Sequence, residues 1–310
     1  MVSNDEISSL LDTSDDWIVE RSGIRFRRAA AGPFAPDRSE SSGPGSIGTT
    51  GELAVRAARG ALATGGVHPD DIGMLVLCTA TPDKQMPATS AVVAAELGIS
   101  SGAMDLNAVC AGFMYGLITT AGLIAAGVDR VLLIGSETMT RAVNWSDRSS
   151  AFLFGDGAAA VVVEAVDGPG SLLGWNLGVD GTLADLFYAE HGSGMTMKGP
   201  EVFRNAVRMT VESARQSMDR AGVKPSDIDL FVPHQANSRI FESVAARLGL
   251  SPDRIASIIE RTGNTSSASI PLTLVDAVER GRLQPGDLIL FAGFGSGMAW
   301  GSAVWQWGEP

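Results

Sequence analysis

Short apolar runs alternate with amphipathic segments along most of this chain. Met74–Cys78 and Leu230–Pro233 are apolar runs of strand length. Glu52–Gly65 and Glu201–Ala221 space their apolar residues as helices that face a core do. The regular alternation of these two patterns, together with 37 glycines, indicates an α/β fold.

One segment carries no charge: Asp, Glu, Lys and Arg are all missing between Leu106 and Val128. Its length would suffice for a membrane span. It is only weakly apolar, however, because it contains the glycines Gly112, Gly116, Gly122 and Gly127. Small residues let neighbouring backbones approach closely, so we expect a helix buried at the centre of the protein.

Cys110 lies at the head of this uncharged segment, shortly after the strand-like run Ser101–Leu106. A cysteine at a strand-to-helix junction lies at a helix N-terminus, where the macrodipole and the free N–H groups stabilise a thiolate and lower its pKa. This is where a catalytic nucleophile would be placed. The alternative is a small buried hydrophobic residue, which is what most cysteines are.

The chain also resembles itself. Gly66–Ile72 (GVHPDDI) is echoed by Gly222–Ile228 (GVKPSDI), and each copy follows a helical pattern and precedes a short apolar strand. A shift of 156 residues maps one copy onto the other and places Cys78 on His234. Repeats of this size predict two α/β halves of common ancestry that pack about a pseudo-two-fold axis.

A second echo joins Phe154–Ala158 (FGDGA) to Phe294–Met298 (FGSGM), and between the echoes a shift of 154 places Cys110 on Asn264. Ligand sites of α/β sheets lie outside the carboxyl ends of strands. We therefore expect Cys110, His234 and Asn264 to meet there. The alternatives are an ordinary loop histidine and an asparagine that serves a turn or a helix cap.

Composition narrows the class of protein. The net charge of −12 and the pI near 4.7 argue against a nucleic-acid partner. Two cysteines make no disulfide framework, and no CxxC or HExxH metal-binding spacing occurs. The polar, acidic N-terminus does not read as a signal peptide. We therefore expect a cytoplasmic protein without a metal.

Seven motifs, in order along nearly the whole chain, resemble those of the β-ketoacyl-ACP synthase III family of the thiolase fold. They are Asp12–Ile18, Arg21–Ile24, Cys110–Phe113, Phe154–Gly157, Val232–Asn237, Gly263–Ser266 and Phe294–Gly297. The resemblance implies duplicated halves in a five-layer α-β-α-β-α arrangement. Residues 1–166 would hold the nucleophile and the homodimer interface, and residues 167–310 the histidine, the asparagine and a closing Gly-rich strand.

The resemblance also implies a catalytic triad of Cys110, His234 and Asn264 that acts without a cofactor. Cys110 would take an acyl group from acyl-CoA as a thioester, and malonyl-ACP would then lose CO2 and attack that thioester. His234 and Asn264 would donate hydrogen bonds to the developing enolate. Backbone N–H groups of Cys110 and Ser296 would form a second oxyanion hole.

Further site residues follow from the same resemblance by position. Trp17, Arg21 and Arg148 match residues at the CoA nucleotide, Gly199 and Asn237 match positions along the pantetheine arm, and Met86 matches a loop tip that reaches the partner subunit's acyl pocket. Acyl carrier protein would dock on Arg204, Arg239 and Arg247. The alternatives are a core tryptophan and arginines on solvated helix faces.

The chain departs from the family in four places. It starts about 15 residues late, a count from motif alignment. Either the start is misassigned, the sequence is truncated, or the first sheet lacks a strand, whose loss would expose an edge. Ala31–Gly51 is longer than in the family and reads as a surface loop. Ser296 replaces the middle glycine of a Gly-Gly-Gly run. Gly181–Lys198 is shorter, which would reshape the acyl pocket.

Two rival functions remain open at this point. The first is a relative in specialised metabolism that primes a polyketide or transfers an acyl group to another nucleophile. The second is a non-catalytic or thioesterase-like protein that uses the same acyl-CoA pocket. The intact triad argues against the second, and no carboxylate in the triad motifs would activate water.

Overall fold

The computed structural model describes residues 1–30, 32–34, 48–190 and 193–308. In these ranges the strands are β1 (Val2–Ser3), β2 (Phe26–Arg27), β3 (Met74–Cys78), β4 (Gly102–Leu106), β5 (Arg130–Thr138), β6 (Asp156–Glu164), β7 (Leu172–Val179), β8 (Phe187–Tyr188), β9 (Thr196–Met197), β10 (Leu230–Pro233), β11 (Leu288–Gly295) and β12 (Ala299–Gln306). The helices are α1 (Asn4–Ser8), α2 (Asp15–Ser22), α3 (Thr50–Gly65), α4 (Thr89–Leu97), α5 (Gly112–Ala125), α6 (Gly199–Ala221), α7 (Ser238–Leu248), α8 (Ile259–Thr262) and α9 (Ser269–Glu279).

Two four-stranded sheets form the frame of the molecule. The first has the order β4-β3-β5-β6, in which β3 runs parallel to β4 and β5 while β6 runs antiparallel to β5. The second has the order β10-β11-β12-β7, with β10 parallel to β11 and the other neighbours antiparallel. Both sheets therefore contain parallel strands followed by an antiparallel strand. This shared arrangement agrees with the two related halves that the internal echoes predict.

Helices fill the space between the sheets and cover both outer faces. Between the sheets, Phe113 and Leu117 of α5 pack with Ile270 and Leu274 of α9 in one buried cluster. A second cluster joins α3 and α4 to the outer face of the first sheet, and a third joins α6 and α7 to the outer face of the second. The five-layer α-β-α-β-α arrangement is therefore confirmed.

The uncharged segment forms the central helix α5, whose inner face is buried. No helix among the described residues is long and apolar enough to cross a membrane. Gly112 shows why this helix carries small residues: a Cβ added there would lie 3.2 Å from the Cβ of Ser267, which belongs to the other half. The two halves meet with little more than backbone between them.

The backbone corrects one detail of the internal repeat. Val109 and Ser266 both adopt a positive φ, of 48° and 49°, and each opens a short 3-10 turn before a central helix. Val109 and Ser266 are 157 residues apart, and we take them as equivalent positions of the repeat. With this shift Cys110 corresponds to Ser267, and Asn264 corresponds to Asn107. The predicted match of Cys110 with Asn264 is wrong.

The reason is a difference in helix length. The shift of 154 applies after the central helices, where Gly127 and Gly281 both adopt a positive φ. Helix α5 has 14 residues and α9 has 11, and this difference of three accounts for the change of shift from 157 to 154. A repeat aligned on the helix ends is therefore out of register at the helix starts.

The outer edges of the two sheets differ. Strand β12 pairs with β7 on its outer side, whereas β6 pairs only with β5 among the described residues. Strand β6 is therefore an edge strand of the first sheet in the part of the chain that the structure describes. Most of the long Ala31–Gly51 segment lies outside the described residues, apart from a 3-10 turn at Gly32–Phe34 and residues 48–51. The surface-loop prediction is wrong for Thr50 and Gly51, which are buried in the first turn of α3.

Candidate active site

A cavity of about 1000 Å³ opens where the carboxyl ends of β10 and β11 face the start of the central helix α5. Its lining brings together most of the residues that the sequence predicts for the site: Trp17, Arg21, Cys110, Arg148, Gly199, Arg204, His234, Asn237, Arg239 and Asn264. Cys110, His234 and Asn264 come from distant parts of the chain and share this cavity as expected.

Cys110 lies in the 3-10 turn Val109–Ala111, directly before α5. The turn packs against the end of β11, where a Cβ added to Gly295 would lie 2.8 Å from the Cys110 nitrogen. Cys110 is only 3% exposed. Burial raises the pKa of its thiol to about 12, and the nearby Glu137 acts in the same direction.

The prediction of a lowered Cys110 pKa is therefore wrong. A thiolate that is cut off from water loses its hydration, and this cost outweighs the stabilisation expected at a helix start. The resting site holds a neutral thiol, so the sulfur gains its nucleophilic form only when it gives up its proton.

His234 follows β10, and its backbone N–H donates to the Ala292 carbonyl at 2.8 Å. The ring packs edge-on against Phe294, with centroids 5.5 Å apart. Burial lowers the pKa of His234 to about 3, so the imidazole is neutral at neutral pH.

The hydroxyl of Ser269 fixes which ring nitrogen of His234 carries the hydrogen. Ser269 Oγ lies 2.6 Å from Nδ1 and accepts the backbone N–H of Gln235 at 3.1 Å. The Ser269 hydroxyl has one hydrogen to donate, and among the described residues its acceptor is His234 Nδ1. Ser269 therefore donates to Nδ1, and the ring hydrogen lies on Nε2, which has no partner among the described residues.

Asn264 is held by its backbone and by its side-chain oxygen. Its N–H donates to Leu153 O at 2.8 Å, and its own carbonyl accepts the N–H of Gly155 at 3.0 Å. Oδ1 accepts the N–H of Ser266 at 2.9 Å. Because the oxygen is used inside the protein, the NH2 group is the part of the amide that remains for a ligand in the cavity.

Trp17 lies at the nucleotide side of the predicted site, and two guanidinium groups lie over its ring. The Arg21 and Arg148 Cζ atoms lie 4.3 and 4.9 Å from its ring centroid, and Phe152 packs edge-on at 5.1 Å. Asn237 uses its amide within the protein: it caps α7 by accepting the Arg239 N–H and donates to the Arg21 carbonyl at 2.7 Å.

Three predicted residues lie apart from the cavity lining. Arg247 lies in a separate groove with Arg208 and Arg215, and Arg215 donates to the Arg247 carbonyl. Met86 is 81% exposed in the single chain. Ser296 begins the turn after β11, next to the lining residue Gly295. The roles assigned to these residues remain predictions.

Two buried polar residues near the site were missed in the sequence. Glu137 is fully buried, and its carboxylate accepts the hydroxyls of Thr81 and Ser267, each at 2.7 Å. Burial raises its pKa. A carboxylate that follows the apolar run Val131–Ile134 in the same strand could have indicated this residue from the sequence. Ser269, the partner of His234, stands in an uncharged run and offered none.

Comparisons with known proteins agree on one family. The family model described as "3-Oxoacyl-[acyl-carrier-protein (ACP)] synthase III" matches residues 104–181, and the model of its C-terminal part matches residues 218–307. The β-ketoacyl-[acyl-carrier-protein] synthase III of Cereibacter sphaeroides is 43% identical over 320 residues, covering 99% of this chain and 95% of the relative. Synthase III 1 of Bacillus anthracis is 40% identical, covering 100% and 95%.

Solved structures agree with the sequence relatives. The crystal structure of 3-oxoacyl-[acyl-carrier-protein] synthase III from Aquifex aeolicus superimposes with a TM-score of 0.91 at 36% identity, covering 99% of this chain and 95% of that one. The priming β-ketosynthase of the R1128 polyketide pathway superimposes with a TM-score of 0.90 at 35% identity, covering 100% and 92%.

The protonation state of Cys110 can be read from its alkylation rate. With a pKa of about 12, the thiolate fraction, and with it the rate of iodoacetamide labelling, should rise about tenfold per pH unit between about pH 6 and 9 without a plateau. The Cys110→Ala variant is the control and should remain unlabelled, because Cys78 is fully buried. A rate that levels off near neutral pH would show a thiolate instead.

Proposed function

The chain belongs to the 3-oxoacyl-[acyl-carrier-protein] synthase III family and is a condensing acyltransferase of fatty-acid synthesis, and we propose that it extends an acyl-CoA starter with malonyl-ACP through a thioester on Cys110. The observation that carries the proposal is one cavity lined by a neutral thiol at a helix start, a neutral imidazole and an oriented amide.

In the first half-reaction the Cys110 sulfur bonds to the thioester carbon of acyl-CoA. The bond between that carbon and the CoA sulfur breaks, and the thiol proton ends on the departing CoA sulfur, so one thioester replaces another. The backbone N–H groups of Cys110 and Ser296 donate to the carbonyl oxygen while it carries negative charge. Gly295, which packs against the Cys110 nitrogen, keeps these two N–H groups close.

In the second half-reaction malonyl-ACP loses CO2. The electron pair of the broken C–C bond passes into an enolate, whose oxygen accepts hydrogen bonds from His234 Nε2–H and the Asn264 NH2 group. The enolate carbon then attacks the acyl carbonyl, and the bond from that carbon to the Cys110 sulfur breaks; the sulfur leaves as a thiolate and takes a proton from water to restore the thiol. Both donors are uncharged, so neither gives up its proton to the malonyl group.

The entrance of the cavity suits the two parts of CoA. The adenine stacks on Trp17 after displacing one of its two guanidinium partners, and Arg21 and Arg148 then meet the phosphates. The pantetheine arm passes Gly199 and Asn237 on its way to Cys110. The Asn237 amide holds the Arg21 backbone through its NH2 group. The second lone pair of its side-chain oxygen is available to the pantetheine arm.

Enzymes of this family act on acyl-carrier-protein substrates, and here the carrier docks on arginines near the cavity. Arg204 and Arg239 border the cavity, and Arg247 extends the basic surface along α7. The active form is a cytoplasmic homodimer in which the exposed Met86 enters the acyl pocket of the partner subunit. Burying Met86 in this way removes a large apolar side chain from water.

The strongest rival is a priming enzyme of polyketide synthesis, which the structural similarity to one such enzyme supports. It uses the same acyl-Cys110 and differs in the carrier that discharges it. A thioesterase fits less well. His234 receives a hydrogen bond from Ser269 at Nδ1, whereas a histidine that activates water is usually oriented by a carboxylate at that position.

The acyl intermediate can be observed directly by mass spectrometry. After incubation with a panel of acyl-CoAs, the Cys110 peptide should gain the mass of the acyl group while the Cys78 peptide stays unmodified, and malonyl-ACP should then discharge it. No adduct with any acyl-CoA would refute the condensing mechanism. An adduct that malonyl-ACP leaves in place would favour the rival acyltransferase.

Carrier docking predicts an effect on one substrate only. Arg239→Glu should raise the KM for malonyl-ACP about tenfold, since charge reversal repels an acidic partner, and leave the KM for acyl-CoA unchanged. Arg59→Glu on α3, on the opposite outer face, makes the same charge change and should alter neither constant. An unchanged carrier KM in Arg239→Glu would remove Arg239 from the docking surface.

A further inference from the structure

Ser296 stands where the family motif has a glycine, and its side chain makes a hydrogen bond: the hydroxyl donates to the Phe187 carbonyl. Ser296 opens the turn Ser296–Met298 that follows β11, and its neighbour Gly295 packs against the Cys110 nitrogen. The turn that faces the nucleophile is therefore tied through one side chain to a segment 109 residues earlier in the chain.

That segment is a wall of the cavity. It starts at Asp180, whose N–H donates to Met298 O at 3.1 Å, and continues into β8, which pairs antiparallel with β9. The Lys198 N–H then donates to Leu186 O at 2.8 Å, just before α6 begins. Phe187, Met197 and Lys198 line the same cavity as Cys110. We call Asp180–Tyr188 together with Thr196–Lys198 the cavity wall.

Phe187 is the part of the wall that matters for a substrate. Its ring is buried, packs at 6.3 Å from Phe154 and lines the cavity. The Ser296 bond holds the Phe187 carbonyl and so restricts the backbone that carries this ring. Among the described residues, the other hydrogen bond between this turn and the wall is the one from the Asp180 N–H to Met298 O, at the start of the wall.

We propose that Ser296 is a specificity-determining residue, which keeps Phe187 close to Cys110 and thereby favours short acyl groups over long ones. This inference rests on the proposed acyl-Cys110 intermediate. A released wall lets the Phe187 ring retreat, so a longer acyl chain finds room, while a short chain loses contact with the ring. Both effects change the preference in the same direction.

The test compares acylation rates of Cys110 with acetyl-CoA and octanoyl-CoA by mass spectrometry. Ser296→Ala keeps the backbone N–H but lacks the hydroxyl, and it should raise the octanoyl-to-acetyl rate ratio about fivefold, the effect of losing one hydrogen bond. Ser296→Thr keeps a hydroxyl and should restore the ratio of the original enzyme. Thr182→Ala is the matched control, since its hydroxyl bonds within the wall, to Asp180.

Phe187→Ala supplies an independent arm, because it removes the ring and leaves the carbonyl that Ser296 holds. It should raise the ratio as well, and adding Ser296→Ala to it should change the ratio little, since both act through the same ring. An unchanged ratio in folded Ser296→Ala, or full additivity of the two changes, would overturn the inference. If the unaltered protein forms no adduct with any acyl-CoA, the proposed function itself fails.

Discussion

The close contact between the two halves at the starts of their central helices is the constraint on which this structure depends. A Cβ at Gly135 would lie 2.6 Å from the Ser267 carbonyl, and one at Gly295 would lie 2.8 Å from the Cys110 nitrogen. Real Cβ atoms essentially never come this near, so both positions need glycine. Only with this contact do Cys110 on one half and His234 on the other line one cavity.

The same contact explains why the duplicated chain has one site rather than two. Strand register makes Glu137 the counterpart of Gly295, and the corrected repeat makes Ser267 the counterpart of Cys110. Gly295 has no side chain beside Cys110, whereas its counterpart Glu137 accepts both the hydroxyl and the N–H of Ser267. A buried carboxylate with five donors around it fills the second position and binds the halves together.

Much of the fold could be predicted from the sequence, because strands such as Met74–Cys78 and the uncharged helix follow from apolar spacing. Family motifs led to Cys110, His234 and Asn264. The pKa of Cys110 could not be predicted, because it depends on burial by residues far away in the chain. Ser269 and the Ser296–Phe187 bond were also missed, since contacts between distant segments leave no periodic pattern.

The central claim is a division of labour: Cys110 holds the acyl group, while His234 and Asn264 stabilise the enolate. Release of CO2 from malonyl-ACP by the Cys110→Ala variant tests it most directly, because that step needs no acyl group. Cys110→Ala should still release CO2, and adding His234→Ala should slow this release by about 100-fold or more. Equal rates for the two folded variants would contradict the account.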